Sequence, residues 1–414
     1  MHLPPYVRGQ MHHPGAHWSG AVLAGAKFRV AGVPVGFTGV MTRRRILVLG
    51  GTAWLGREIA RAAVSRGHEV TCVARGESGE VPDGLTLVRA DRDHEDGLAA
   101  VATSTSTSSS TSASTSSTEP WDAVIDVSRQ PGQVRRAVRD LAASGLYIFV
   151  STGNVYAEQN LTEQNATGAD EDAPLLDPLE ADVMESMVDY GQAKVACERA
   201  VLDGFGPERS LIARSGLIGG PGDLSGRTGY WPVRFAHPSS SDGAVLVPGD
   251  RELSTQMIDV RDLAMWLVSA AEGDADGTSN DASGTNAARG IMNAMGDRVS
   301  LGDHLATARA VAGHIGPLVA AGTEWLVRHG VEEFAGAKSL PLWLSDPDWR
   351  GFMARSNARA KAAGLTLRPL AETFADVLAW ELEGGMEQPH GAGLTAAEER
   401  ELLAELAADA ASPG

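Results

Sequence analysis

The chain reads as an α/β protein built on a doubly wound parallel sheet, and three observations carry that expectation. Arg45 to Gly56 (RILVLGGTAWLG) is a short apolar run ending in a glycine-rich turn, after which Arg57 to Ser65 (REIARAAVS) spaces its apolar residues like a helix. Gly67 to Arg75 (GHEVTCVAR) follows as a helix stop and a second apolar run, completing a strand–helix–strand unit. Strand and helix then alternate five times within the first half of the chain, the pattern of a parallel sheet covered by helices on both faces.

The first turn has a chemical use. A tight strand-to-helix turn leaves the first backbone N–H groups of the helix unpaired and aimed beyond the strand, so a pyrophosphate can be held there without side chains. Gly50, Gly51 and Gly56 are the expected cradle, with Thr52, Trp54 and Leu55 between them as further cofactor contacts. The usual third glycine of such a turn is Ala53 here, so the turn alone is a weak signal. Its place inside a strand–helix–strand unit is what points to a dinucleotide.

Composition narrows the partners. With 414 residues there is ample chain for a large core. A formal net charge of -18 argues against nucleic acid, whose binding is mostly cationic contact, and favours a small molecule. The two cysteines, Cys72 in an expected strand and Cys197 in an expected helix, fit neither a disulfide framework nor a zinc spacing. Both are expected to be buried thiols of a reducing, cytoplasmic setting.

Residues 1–42 show no convincing periodicity and are expected to be a disordered extension. The mildly apolar Ala21 to Val40 is interrupted by Lys27 and Arg29, and its basic cluster, Arg43 to Arg45, comes after it rather than before, so neither a secretory signal nor a membrane anchor is expected. Met41 is an expected alternative start. His12, His13 and His17 read as a chance cluster, and no metal site is expected.

The second strand ends at Arg75, where an NAD-specific site would carry an acid; an arginine suits a 2′-phosphate, so NADP is preferred over NAD, with Glu77 close enough to complicate the choice. The third strand, Leu85 to Arg89, runs into Ala90-Asp91-Arg92-Asp93, and Asp91 and Arg92 are placed where an adenine could lie. Asp91 could equally cap the helix that follows. Thr103 to Thr118 is almost all serine and threonine and is expected to be a flexible insert.

Trp121 to Val127 (WDAVIDV) reads as a buried strand, with Ser128 just beyond it as a cofactor contact, then Pro131 and an amphipathic helix from Gln133 to Ala143. A further strand, Leu146 to Val150, delivers Ser151, Thr152, Gly153, Asn154, Val155 and Tyr156 to a carboxyl end of the sheet, where ligands sit in such folds.

In Asp189 to Leu202 (DYGQAKVACERAVL), Tyr190 and Lys194 are four apart and share one helix face. Free tyrosine titrates near ~10, and an ammonium fixed nearby favours the phenolate, which suits proton exchange with a substrate alcohol or carbonyl. Thr152 would hold the substrate oxygen beside Tyr190. Following a glycine-rich start and a strand-end Ser-Thr, this pair makes the chain resemble the extended short-chain dehydrogenase/reductases, the NAD-dependent epimerase/dehydratase group, over about Arg45 to Ala271.

The resemblance implies a Rossmann-type cofactor domain with a smaller carboxyl-terminal substrate domain. It implies Thr152, Tyr190 as acid/base and Lys194, bonded to the nicotinamide ribose, as the catalytic group, and a homodimer through helices including Asp189 to Leu202. Leu211 to Gly222 (LIARSGLIGGPG) is similar to the family's strand and loop near the nicotinamide, with Arg214-Ser215 where Arg-Pro is common, so Ser215 is a further expected cofactor contact.

Departures narrow the chemistry. Sugar-nucleotide dehydratases carry an acid and a base directly after the threonine, where this chain has Gly153 and Asn154. Sugar-nucleotide epimerases usually carry an arginine shortly before Ile258 to Ala264 (IDVRDLA), where Thr255 and Gln256 stand; a nucleotide sugar would then need Arg227, Arg234 or Arg251. These features, with the Ala90 to Arg92 turn and the long Tyr156 to Tyr190 spacing, look more like an atypical branch that includes the chloroplast stem-loop RNA-binding proteins. The expected function is therefore hydride transfer to or from a secondary alcohol or ketone, sugar-like or not, or redox epimerisation. The alternative is a non-catalytic dinucleotide-sensing or RNA-binding protein.

The cofactor domain is expected over 43–272, with substrate-domain segments from about 220–250, a second flexible insert over 273–290, a substrate subdomain over 291–385 and a tail over 386–414. Ile291 to Ala294 reads as a short strand, and Leu301 to Val311, Asn357 to Ala363 and Leu370 to Glu383 as helices. Trp325, Phe334, Trp343, Trp349 and Phe352 are expected mostly in the core. Leu394 to Ala408 (LTAAEERELLAELAA) reads as an acidic amphipathic helix beyond the domain, solvated by default, with docking on its own protein or on a partner as the alternative.

Overall fold

The computed structural model describes residues 42–77, 84–102, 119–159, 169–273, 288–385 and 391–411. The expectations for the extension before Met41, for Thr103 to Thr118 and for 274–287 fall outside these.

The first half alternates as expected: β1 (Arg45–Leu49), α1 (Trp54–Ser65), β2 (Glu69–Ala74), β3 (Thr86–Arg89), a short α2 (Ala99–Ala102), β4 (Ala123–Asp126), α3 (Pro131–Asp140), β5 (Leu146–Thr152), α4 (Tyr190–Phe205) and β6 (Ser210–Ser215). The chain continues through β7 (Leu217–Gly219), α5 (Tyr230–Ala236), β8 (Val245–Pro248), β9 (Ser254–Asp259), α6 (Val260–Glu272) and β10 (Gly290–Ala294). One sheet orders its strands β10-β6-β5-β4-β1-β2-β3. All six of its pairings are parallel. Strand order reverses between β1 and β4, so the crevice beyond Leu49 and Asp126 is where such a sheet binds ligands.

Side chains alternate across this sheet, and both faces are covered. Ile46, Val48, Ile125, Ile148 and Val150 pack with Ile59 and Ala63 of α1 and Leu263 and Leu267 of α6. Leu47, Leu49, Val124, Tyr147 and Phe149 pack with Val134 and Ala137 of α3 and Cys197, Val201 and Phe205 of α4. This two-sided burial is why the strands are continuously apolar rather than alternating. Each buried Val, Leu, Ile or Phe among them contributes about 1.5–3 kcal/mol. The seventh strand, β10, lies beyond the 43–272 stretch, and Arg289 already ties its start to Ala270 O and Gly273 O, so 288–290 are not part of a loose insert.

A smaller part is assembled from dispersed pieces. It adds β11 (Arg298–Ser300), α7 (Leu301–Val311), β12 (Leu318–Ala321), α8 (Thr323–Arg328), α9 (Ala358–Ala362), α10 (Leu370–Glu383) and α11 (Ala396–Ala411). β9 lies between β11 and β7 in a three-stranded sheet, and β8 pairs with β12. Their core joins Trp231 and Phe235 of α5 to Leu301 and Leu305 of α7, Trp343, Phe374 and Leu402. Among the expected aromatic anchors, Phe334 and Trp343 are buried, and Trp349 and Phe352 pack partly buried beside Phe334.

The acidic helix α11 docks on its own protein along one face, the alternative to the solvated default. Glu399 is wholly buried, pairs with Arg234 at 2.8 Å and accepts the Leu246 N–H at 3.0 Å, while Leu402 joins the core. A buried carboxylate met by a cation and an amide makes the inward face stable despite its charge.

Candidate active site

The glycine-rich turn is held tightly against the sheet. Gly50 donates its N–H to Val73 O at 2.9 Å and accepts that of Ala53 at 3.2 Å. Its φ of 93° lies in the left-handed region, and a Cβ there would stand 2.6 Å from Val127 Cγ2. A Cβ on Gly51 would stand 2.4 Å from Cys72 Sγ, and one on Gly56 2.2 Å from Gly50 O. Ala53 is exposed and extended (φ -74°, ψ 161°), a conformation any residue adopts, so the missing third glycine costs the turn nothing. Arg57 N–H makes the first helical bond, to Ala53 O at 2.8 Å, and the N–H groups before it have no carbonyl a turn back. Trp54 and Leu55 therefore offer backbone only: the Trp54 indole donates to Pro221 O at 2.9 Å and Leu55 packs on the core.

Beyond this turn lies a cleft of about 360 Å³ lined by Thr52, Arg75, Asp91, Arg92, Ser128 and Gln133, among others. Arg75 is largely exposed, 3.2 Å from Glu77. Asp91 accepts the N–H of Asp93 at 3.0 Å, which closes a turn rather than capping a helix.

Arg92 departs from the expected free contact. Its guanidinium is buried and grips Asp126 at 3.0 and 2.8 Å, with further donation to Ser128 Oγ and to Gln133 O. Asp126 ends β4 wholly buried and also accepts the Tyr147 hydroxyl at 2.7 Å and the Ser128 N–H at 2.9 Å. Burial pushes the Asp126 carboxyl up, but Arg92 and the bonds from Ser128 and Tyr147 outweigh it and hold it below the usual carboxylate range. Burial and the Asp126 charge push the Tyr147 phenol well up.

Of the second set of expected residues, Thr152 and Lys194 come together at the end of β5. Thr152 caps the 3-10 turn Gly153–Val155, accepting the Asn154 N–H at 3.3 Å and donating to Asn154 Oδ1 at 3.0 Å. A Cβ on Gly191 would stand 2.4 Å from Asn154 O, so a glycine directly after Tyr190 lets the first turn of α4 rest on this one. Lys194, one turn on and 3% exposed, donates to Val150 O and Ser128 O, both at 2.7 Å, with its ammonium 4.6 Å from the Phe149 ring centroid. Tyr190 is half-buried at the helix start. Thr152 and Lys194 thus lie at the end of β5, Lys194 being tied to the cleft through Ser128, and Tyr190 begins the helix whose first turn rests on Asn154. Ser215, opposite Thr152 in the sheet register, is buried and its hydroxyl has no partner among the described residues.

These features fit a dinucleotide. The turn is a cradle whose three glycines cannot carry a Cβ, the cleft is walled by polar groups, and the Ser215 hydroxyl, unpartnered among the described residues, lies at the end of β6 beside Thr152.

Several functional neighbours were not legible. Arg214 beside Ser215 is buried; burial works against its charge, but Glu198 at 2.8 Å outweighs that, and Ser151 donates to the same carboxylate. Arg355 is 3% exposed with its guanidinium carbon 3.7 Å from the Tyr156 ring centroid. It bonds Glu158 O and Gln159 Oε1, pairs with no carboxylate among the described residues, and burial pulls it down to about 10. A single arginine in Met353-Ala354-Arg355 gives no signal of this in sequence. Thr255 is wholly buried, 3.4 Å from His304 Nδ1, and the Gln256 amide clasps Gly296 O and Arg355 O, so the pair serves the small domain's interior. Arg234 is spent on Glu399, and Arg227 lies over the Phe334 ring.

The family model for the NAD dependent epimerase/dehydratase family matches residues 46–282. Among solved structures, the enzyme WbmH of Bordetella bronchiseptica with NAD+ is similar at 15% identity, with 83% of this chain and 100% of that one covered and a TM-score of 0.53. The UDP-glucose 4-epimerase of Thermotoga maritima with UDP-glucose is similar at 16% identity, with 82% and 99% covered and a TM-score of 0.52. The UDP-glucose 4-epimerase of Thermus thermophilus with NAD stands at 17%, 82% and 99%, and 0.51. At such identities the likeness is one of fold. No curated protein matches in sequence.

Proposed function

We propose an activity from the fact that this chain belongs to the NAD dependent epimerase/dehydratase family: a nicotinamide-dinucleotide-dependent oxidoreductase or epimerase acting on a secondary alcohol or ketone. The observation that carries it is the anchoring of Lys194 on Ser128 O and Val150 O in the corner where Gly191 seats α4 against Asn154. When bound, the nicotinamide supplies the hydride acceptor or donor. The chain supplies the rest: the α1 N-terminus and its glycines hold the pyrophosphate, and Ser215 faces the ring end. Tyr190 passes a proton to or from the substrate oxygen. Lys194 holds the nicotinamide ribose, while Thr152 orients the substrate oxygen, turning its hydroxyl from Asn154 to do so.

Dehydration through groups after the threonine is excluded from this reading, since Gly153 and Asn154 offer neither acid nor base. NADP is the preferred cofactor through Arg75, which has to leave Glu77 to meet a 2′-phosphate. Fluorescence titration with NADH and NADPH tests the reading. Saturable binding that weakens in Lys194→Met, with tighter NADPH than NADH binding and a ratio that collapses in Arg75→Ala, supports it. No binding of either dinucleotide overturns it.

A further inference from the structure

The Arg92–Asp126 pair has no part in the chemistry proposed so far. Arg92 lines the adenosine cleft, yet its two terminal nitrogens turn inward, to both oxygens of Asp126, to Gln133 O and to Ser128 Oγ, while its buried Nε has no partner among the described residues. Asp126 in turn takes the Ser128 N–H and the Tyr147 hydroxyl. Ser128 is therefore fixed at its N–H and its side chain by the buried pair, and its remaining polar atom, the carbonyl, is one of two acceptors of Lys194 Nζ among the described residues. An ion pair this deep is costly to bury, and replacing such a pair by apolar groups is often neutral for stability. Its placement between two binding regions therefore asks for a role other than stability.

We infer that Arg92, Asp126 and Tyr147 are positioning residues for Lys194, acting through Ser128, so that a cation on the wall of the adenosine cleft serves the nicotinamide ribose at the other end of the cofactor. The inference rests on the proposed role of Lys194. It differs from direct adenosine recognition by Arg92 in what is lost when the pair is removed. A positioning pair weakens only ligands that reach Lys194. An adenosine contact weakens the adenosine half as much as the whole.

The test compares binding of the preferred dinucleotide, NADH or NADPH, with binding of its adenosine half, ADP or 2′,5′-ADP. The paired replacement Arg92→Met with Asp126→Asn leaves no buried charge unmatched. It is expected to weaken the dinucleotide by about tenfold, the loss of one charge-assisted bond, and ADP or 2′,5′-ADP by less than about twofold. In a Lys194→Met background the same replacement is expected to cost the dinucleotide less than about twofold, because its effect passes through the missing ammonium. Tyr147→Phe, which removes one hydrogen bond and keeps the ring, carries the same comparison if the double variant fails to fold.

Equal losses for the dinucleotide and its adenosine half overturn the inference in favour of direct contact. An undiminished loss in the Lys194→Met background overturns it too. If Lys194→Met alone leaves dinucleotide binding intact, the proposed function falls first, a result distinct from either of these.

Discussion

Gly56→Ala is the sharpest probe of the cofactor turn. The added Cβ would meet Gly50 O at 2.2 Å, Gly50 C at 2.9 Å and Gly51 Cα at 2.9 Å, all backbone. Gly50 cannot withdraw, being pinned to Val73 O at 2.9 Å, so α1 has to retreat. Restoring ordinary contact needs a shift of about 1 Å, and overpacking of that size costs about 1–3 kcal/mol of stability. The same shift carries the first N–H groups of α1 away from the pyrophosphate. Losing one charge-assisted bond there, about 1.5–3 kcal/mol, weakens binding by about 10- to 100-fold. The assay is dinucleotide titration by intrinsic fluorescence beside a thermal melt, with Ala53→Gly as the control. Ala53 is exposed and extended, so its replacement is expected to keep affinity within about twofold. A Gly56→Ala protein that binds and melts like the wild type refutes the reasoning.

Three other outcomes are expected. Glu399→Ala strands Arg234 in the interior and is expected to cost about 3–5 kcal/mol in denaturant unfolding, whereas removal of a solvated helix would cost nothing measurable. His304 is buried and pulled down from 6.5 to about 3, so the unfolded chain takes up a proton there before the folded one does. Its contribution is present above 6.5 and lost as pH falls towards 3, and His304→Phe is expected to flatten the stability slope in that window. Burial pushes the thiols of Cys72 and Cys197 up to about 11 and about 12, so both are expected to resist alkylation at about pH 8 in the native protein and to react once it is unfolded.

The cofactor half was legible because its signals are local. The apolar run of β1, the turn and the helical spacing of α1 lie within Arg45 to Ser65, and Tyr190 and Lys194 sit on one helix face. What escaped was long-range or short. β7 and β11 span three residues each, too few to show a period. β10 was visible as a strand, but nothing in Ile291 to Ala294 says that it pairs with β6 across an insert. Asp126 sits in a run that reads as apolar, and its partner Arg92 is 34 residues earlier, so the pair emerges only when the sheet forms. Glu399 likewise reads as a surface acid until Arg234 is brought to it.

The central claim is the proton transfer proposed for Tyr190. It is tested most directly by following hydride exchange between reduced or oxidised dinucleotide and a panel of ketones, secondary alcohols and sugar nucleotides, with wild type and Tyr190→Phe in parallel. The expected result is turnover that drops by at least about 100-fold in the variant while dinucleotide binding is kept. Turnover unchanged in Tyr190→Phe contradicts it.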